Sequence, residues 1–146
     1  MATIKVAHPD SARPALYPIV ARVWAVGFLL TGATFALQPQ RVVAQLATLS
    51  GWVGLSGTVE APAGNLWHVL ALSLMASISL LAWQSAREPG RAGPFHTLLL
   101  AKMVSTFGFT ILAVQAGSVW ALCAATDAFI ALTLWLARAA DAQRRI

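Results

Sequence analysis

The chain has 146 residues, of which 58% are hydrophobic and 10% are charged. A soluble domain usually carries about 25% charged residues, so this composition excludes an ordinary water-soluble protein, and the mean hydropathy of +0.70 agrees. The net charge is +5, but the basic residues flank apolar blocks as topology signals do, which argues against nucleic-acid binding.

Four apolar blocks that are long enough to cross a bilayer follow one another along the chain. They comprise residues 16–37, 66–83, 95–114 and 119–137. A helix rises about 1.5 Å per residue, so each block can cross a hydrocarbon core of about 30 Å. Ser118 is the predicted N-cap of the last block. The sequence therefore predicts an all-α membrane protein, a four-transmembrane-helix bundle that forms one membrane domain over residues 1–146.

The connection after the first block contains a shorter amphipathic segment at residues 41–49. Its apolar side chains share one helical face, namely Val42, Val43, Leu46 and Leu49, and its polar side chains lie opposite, namely Arg41, Gln45 and Thr48. This spacing predicts a short interfacial helix that lies on the membrane surface.

The distribution of Lys and Arg predicts the orientation. Eight basic residues fall on the side that carries both termini, namely Lys5, Arg13, Arg22, Arg87, Arg91, Arg138, Arg144 and Arg145. Arg41 falls on the opposite side and Lys102 lies within the membrane. Because Lys and Arg remain on the cytoplasmic side, we expect both termini in the cytoplasm.

Asp127 lies near the middle of the fourth block, where an ionisable side chain costs at least about 2.5 kcal/mol. Its candidate partners are Lys102, Ser105 and Thr106 on the third block, with Arg22 on the first as a further candidate. In an antiparallel hairpin Lys102 and Asp127 differ in depth by roughly 6 Å, which a lysine side chain can cover. Each side chain leans toward the N-terminus of its own helix, which separates them, so snorkelling of Lys102 to the surface is the alternative. Three roles for Asp127 stay open. It transfers a proton or an ion, it binds a polar group of a ligand, or it is a structural partner for a buried donor.

Small and polar residues predict the helix contacts. Ala21 with Ala25, and Gly32 one turn before Ala36, are spaced for close helix packing. A stripe on the second block predicts interhelical hydrogen bonds from Ser73, Ser77 and Gln84.

Two histidines are candidate contacts for a haem or a pigment. His68 begins the second block and His96 begins the third, on opposite sides of the membrane, so the two cannot bracket one haem. Contact of either with a haem or pigment, and contact of the bundle with a quinone, stay open. The sequence contains no metal-binding cluster and no catalytic motif.

Residues 22–43, RVWAVGFLLTGATFALQPQRVV, resemble the first helix of DoxX-like membrane proteins. Those are small four-helix proteins of the bacterial inner membrane, some of them associated with quinone-linked oxidoreductase complexes. The resemblance implies a bacterial cytoplasmic membrane and membership of a redox complex, and it assigns no catalytic residue.

The leading interpretation is a small non-catalytic subunit or accessory protein of a bacterial membrane complex, redox- or quinone-linked. One alternative is a small oligomeric transporter or proton-linked carrier that uses Asp127 and Lys102. The other is a quinone- or pigment-binding membrane subunit. The expected partners are the lipid bilayer and other membrane subunits or further copies of the chain, and not nucleic acid.

Overall fold

A computed structural model describes residues 15–57 and 65–144, and for residues 65–68 the backbone alone. The described residues form five helices: α1 (Leu16–Leu37), α2 (Pro39–Trp52), α3 (Asn65–Arg87), α4 (Ala92–Gln115) and α5 (Trp120–Gln143). The four long helices have the length and apolar composition of membrane spans. The predicted all-helical fold with four spans is therefore confirmed, and α5 runs six residues beyond the predicted end at Ala137.

Helices α1 and α3 form the most extensive packing in the bundle. The small residues Ala21, Ala25 and Gly32 are buried on α1, as predicted from their spacing. Their lack of bulk lets α3 approach the α1 backbone, and the Ser79 hydroxyl donates a 2.6 Å hydrogen bond to the carbonyl oxygen of Ala25. At Gly32 the two helices leave no room for a side chain, because an added Cβ would lie 2.6 Å from Cβ of Met75.

Helices α4 and α5 form the second pair, an antiparallel hairpin. The rings of Phe109 and Trp120 stack near the turn, with centroids 6.0 Å apart. Helix α5 buries a continuous face, which includes Ala124, Asp127, Ile130 and Leu134. The hairpin therefore carries a buried carboxylate on the face that meets the other helices.

Contacts between α1 and α5 join the two pairs. The Asp141 carboxylate accepts backbone N–H bonds from Leu16 and Tyr17 at 2.9 and 2.8 Å. It thus satisfies donors that the first turn of a helix leaves unpaired, and its negative charge lies at the positive end of the α1 dipole. Deeper in the bundle, the Trp24 indole donates to the Thr133 hydroxyl at 3.1 Å.

The segment after α2 docks on the turn between α4 and α5. The Ser118 hydroxyl accepts from Ser56 N–H at 2.8 Å and donates to the Ser56 carbonyl at 3.0 Å. The prediction of Ser118 as an N-cap is wrong: Val119 precedes α5, which has no side-chain cap. Gly57 and Gly117 have φ of +140° and +124°, and a Cβ on Gly117 would lie 3.0 Å from the Gly57 Cα. Glycine therefore meets two requirements here, a left-handed backbone and a close approach.

Large apolar side chains cover the outside of the bundle. Phe107 is 69% exposed, Val104 63% and Leu30 62%. Exposure of such a surface to water is unfavourable, whereas lipid tails are as apolar as these side chains. Together with the four spans, this surface identifies a multi-pass integral membrane protein.

The helix order brings basic residues to one end of the bundle. The start of α1, the end of α3, the start of α4 and the end of α5 meet there, through contacts of Tyr17 with Ser85, Phe95 and Asp141. The described basic residues of this end are Arg22, Arg87, Arg91, Arg138 and Arg144, while Arg41 lies on α2 at the other end. Lys5, Arg13 and Arg145 lie outside the described residues.

Gly32 and Gly27, both in the interior of α1, offer a matched test of the α1–α3 contact. Alanine at either position raises helix propensity by about 1 kcal/mol. At Gly27 the added Cβ would meet only Cε3 of Trp24 at 3.8 Å, whereas at Gly32 it would overlap Met75. We expect Gly27→Ala to maintain or raise the melting temperature in detergent and Gly32→Ala to lower it, since overpacking costs about 1–3 kcal/mol. Equal melting temperatures for the two variants would contradict the observed helix approach.

Candidate functional site

Lys102 and Asp127 form an ion pair inside the bundle. Lys102 Nζ lies 2.7 Å from Asp127 Oδ1, and the two side chains are only 4% and 11% exposed. The long lysine side chain crosses from α4 to α5 in spite of the lean of each side chain toward its own helix N-terminus. The structure thus places the pair together and does not show Lys102 at the surface.

Two further side chains complete the surroundings of the pair. The Ser105 hydroxyl donates to Oδ2 of Asp127, so each carboxylate oxygen has a donor. The Phe28 ring of α1 lies under the ammonium, with its centroid 4.6 Å from Lys102 Nζ. An aromatic face attracts a cation, and more strongly so where water is excluded. The pair is therefore held from three helices, α1, α4 and α5.

Above the pair, an open groove runs between α3 and the α4–α5 hairpin. Its volume is about 840 Å³, and its floor includes Lys102, Ser105 and Asp127. Its walls are almost entirely apolar and include Leu74, Met75, Ile78, Leu100, Val104 and Phe109. Helix α2 contributes Leu46 and Leu49 to the lining. The arrangement is a lipid-facing apolar groove with a small polar patch at its base.

The remaining predicted site residues lie apart from the pair. The Thr106 hydroxyl donates to the carbonyl of Lys102 on its own helix at 2.7 Å and does not reach Asp127. Arg22 is exposed, with its guanidinium 6.0 Å from the ring centroid of Trp83. The predicted grouping of Thr106 and Arg22 with Asp127 is therefore wrong, because their positions around the helix axes direct them elsewhere. His96 is exposed beside Phe95, and the side chain of His68 lies outside the described residues.

The predicted hydrogen-bonding stripe on α3 is also wrong. Ser73 and Ser77 are exposed, and each donates to a carbonyl of its own helix. Gln84 is exposed as well. The interhelical bonds of α3 come instead from Ser79 to the Ala25 carbonyl, and between Ser85 and the hydroxyl of Tyr17. The stripe correctly predicted that α3 makes such bonds, but the serines that make them lie on a different face of the helix.

A second polar cluster, which the sequence did not indicate, lies at the basic end of the bundle. The Arg138 guanidinium lies 4.1 Å from the ring centroid of Phe95 and 5.7 Å from that of Tyr17. Its Nη1 is buried without a hydrogen-bond partner among the described residues. Asp141 is occupied by the backbone of α1. The feature of the sequence that could have revealed it is the presence of two charged residues, Arg138 and Asp141, close to the end of an apolar block. These contacts connect the end of α5 to the starts of α1 and α4.

No family model, curated protein or solved structure matches this chain. The roles of the residues at the site therefore rest on their geometry.

A double-mutant cycle tests the pair. Asp127→Leu leaves the Lys102 ammonium buried without a partner, which typically costs about 3–5 kcal/mol. Replacing both residues with apolar ones of similar size is often close to neutral. We expect Asp127→Leu to unfold at a markedly lower denaturant concentration than wild type, and the double variant Lys102→Met/Asp127→Leu to recover most of that loss. If the two single effects simply added in the double variant, the residues would not interact.

Proposed function

We propose that this protein binds a membrane-soluble amphiphile in the groove between α3 and the α4–α5 hairpin. The observation that carries the proposal is the position of the Lys102–Asp127 pair at the floor of an apolar groove. Ligand sites are usually apolar concavities with a few placed polar groups that orient the ligand. The groove has both elements, and a ligand dissolved in the bilayer could enter from the side.

The geometry of the polar floor supports a binding role. Intramembrane charges are expensive and are usually functional, pairing with one another or lining a ligand path. Here Ser105 and Phe28 hold both members of the pair in position, so the groups that meet a ligand are organised before it arrives. Such pre-organisation lowers the cost of binding.

In this proposal the protein is a small non-catalytic binding subunit, and it works beside other membrane subunits or further copies of itself. The helix-packing faces of the chain support that assignment. The resemblance of residues 22–43 to DoxX-like proteins supports a bacterial cytoplasmic membrane and a redox- or quinone-linked complex.

A proton-linked carrier that uses Asp127 and Lys102 is the second candidate, and the intramembrane ion pair itself favours it. The two candidates differ at Asp127→Asn. An amide still accepts and donates hydrogen bonds, so a binding site should keep its ligand. A carrier that moves a proton through the carboxylate should lose transport while it still assembles.

The orientation that we propose places both termini in the cytoplasm. The support is the gathering of the described basic residues at the end where α1 starts and α5 finishes. We expect a fluorescent reporter fused after Ile146 to be active in the cytoplasm, and an alkaline phosphatase fused there to be inactive. Phosphatase activity from that fusion would show that the C-terminus lies outside the cytoplasm and that the proposed orientation is wrong.

The binding proposal predicts that a purified sample retains a hydrophobic small molecule. Ala101 lies in the groove lining, so Ala101→Trp should fill the groove and remove the retained molecule. Ala128 is exposed on α5 outside the groove lining, so Ala128→Trp is the matched control. Native mass spectrometry measures the molecules that wild type and the two variants retain. Solvent extraction then recovers these molecules.

We expect wild type and Ala128→Trp to carry the same bound species, and Ala101→Trp to carry little of it. Equal amounts in all three proteins would mean that the molecule binds elsewhere on the outer surface, and the proposed site would be abandoned.

A further inference from the structure

Arg138 carries an uncompensated positive charge at the basic end of the bundle. Its guanidinium lies 4.1 Å from the ring centroid of Phe95 and 5.7 Å from that of Tyr17. Aromatic rings attract a cation, but they offer no oxygen that accepts a charge-assisted hydrogen bond. The Tyr17 hydroxyl, the one side-chain oxygen of the two residues, bonds with Ser85. Nη1 of Arg138 is accordingly buried without a hydrogen-bond partner among the described residues.

The carboxylates at this end of the bundle are already engaged. Asp141 accepts two backbone N–H groups at the start of α1. Glu88 pairs with Arg91, with nitrogen and oxygen 3.3 Å apart. Within the described residues, Arg138 forms no ion pair with either carboxylate. A charge that is partly withdrawn from water and unpaired is unfavourable, so an anion that binds to Arg138 has a charge to neutralise.

This end of the bundle is positively charged as a whole. Among the described residues, five arginines lie there against the two carboxylates just named. The arginines are Arg22, Arg87, Arg91, Arg138 and Arg144. A net positive field attracts anions, and it favours an anionic head group over a zwitterionic one, which brings its own cation.

The level of Arg138 in the bilayer indicates where such an anion comes from. Trp120 begins α5 at the opposite end of the bundle, and Arg138 follows it by eighteen residues, which is about 27 Å along the helix axis. The hydrocarbon core is about 30 Å thick, so Arg138 lies at its edge, where the head groups of phospholipids begin. Asp127 lies eleven residues before Arg138 on the same helix, about 16 Å deeper. The position is therefore separate from the groove.

The guanidinium is open to a lipid head group at that level. Arg138 is partly exposed although its Nη1 is buried. Its charge is delocalised over the whole guanidinium, so an anion at the exposed part neutralises all of it, and its planar fork of N–H groups matches two phosphate oxygens. Trp135, one turn before Arg138 on α5, is 53% exposed. It offers apolar surface beside the site to the upper part of an acyl chain.

We propose that the Arg138 cluster, which comprises Arg138, Phe95 and Tyr17, binds the phosphate of an anionic phospholipid with the chemistry of phosphatidylglycerol. The phosphate oxygens accept hydrogen bonds from Arg138, and the acyl chains lie in the bilayer against α5. The two rings hold the guanidinium in place for the phosphate. Because these residues come from α1, α4 and α5, the bound lipid stabilises the end of the bundle. This site goes beyond the proposed function and does not depend on it.

The test uses the full-length protein in nanodiscs of phosphatidylcholine, either alone or mixed with phosphatidylglycerol. Native mass spectrometry measures which lipid the released protein retains, and thermal unfolding measures how far the bound lipid stabilises it. Arg138→Gln removes the guanidinium. Arg144→Gln is the matched control, because it removes the same charge from an exposed position on the same end of the bundle. Inorganic phosphate, added to nanodiscs of phosphatidylcholine alone, tests a soluble ion as the source of the phosphate.

We expect wild type and Arg144→Gln to retain phosphatidylglycerol in preference to phosphatidylcholine, and to unfold at a higher temperature in the mixed nanodiscs. Arg138→Gln should bind phosphatidylglycerol about tenfold more weakly, as for the loss of a hydrogen bond to a charged group, and should gain no thermal stability from it. Arg138→Lys keeps the charge without the planar fork, so it should bind several-fold more weakly than wild type. It replaces Arg138→Gln in the comparison should that variant fold poorly. Inorganic phosphate should leave the melting temperatures unchanged.

Four outcomes would overturn the inference. Equal losses of phosphatidylglycerol in Arg138→Gln and Arg144→Gln would mean that the basic end attracts anionic lipid without a site at Arg138. Equal retention of phosphatidylcholine by wild type would mean that the charge does not select the lipid. If inorganic phosphate stabilises wild type as much as phosphatidylglycerol does, the ligand is a soluble ion.

The fourth outcome concerns Asp10, an acidic residue outside the described part of the chain. If Asp10→Asn lowers the melting temperature in phosphatidylcholine as much as Arg138→Gln does, and the double variant lowers it no further, a carboxylate of the chain itself neutralises Arg138. None of the four outcomes affects binding in the groove.

Discussion

The ion pair between Lys102 and Asp127 is the interaction on which the arrangement of the bundle centre depends. Either charge alone is costly at this depth, so each stabilises the other, and the pair constrains how α4 and α5 face one another. Phe28 brings α1 to the same point, with its ring 4.6 Å from the ammonium. Because the pair is satisfied inside the protein, α3 need not cover it, and the groove between α3 and the hairpin can remain open to lipid.

The ends of the bundle are joined by different means. At the basic end, Asp141 caps the first turn of α1 and Arg138 lies against the rings of Phe95 and Tyr17. At the other end, Gly57 and Gly117 allow two backbones to touch, with Ser118 bridging to Ser56. These contacts stabilise the relative positions of the two helix pairs without filling the space between α3 and α4. A bundle whose helices are joined at its ends and which is open at its side suits a ligand that arrives through the bilayer.

Several assignments made from spacing alone were wrong for one shared reason. Ser73 and Ser77 donate to carbonyls of their own helix, which is the usual partner for a serine that faces lipid. Ser79, two residues further on, reaches the Ala25 carbonyl across the helix contact. Thr106 likewise bonds within α4, while Ser105 beside it reaches Asp127. In each case a rotation of about 100° per residue around the helix axis separates a lipid-facing hydroxyl from one that bonds across helices.

The sequence by itself determined the four spans, the amphipathic α2, the tight contact at Gly32 and the gathering of basic residues on one side. The bilayer imposes those features through length, backbone hydrogen bonding and charge, and all three can be counted along a chain. The sequence also identified Asp127 and Lys102, because ionisable side chains are rare in apolar blocks. Only the tertiary structure decided that these two meet, that Phe28 joins them, and that a groove opens above them. The physical reason is that lipid is as apolar as the protein interior, so hydrophobicity does not show which face of a membrane helix points inward.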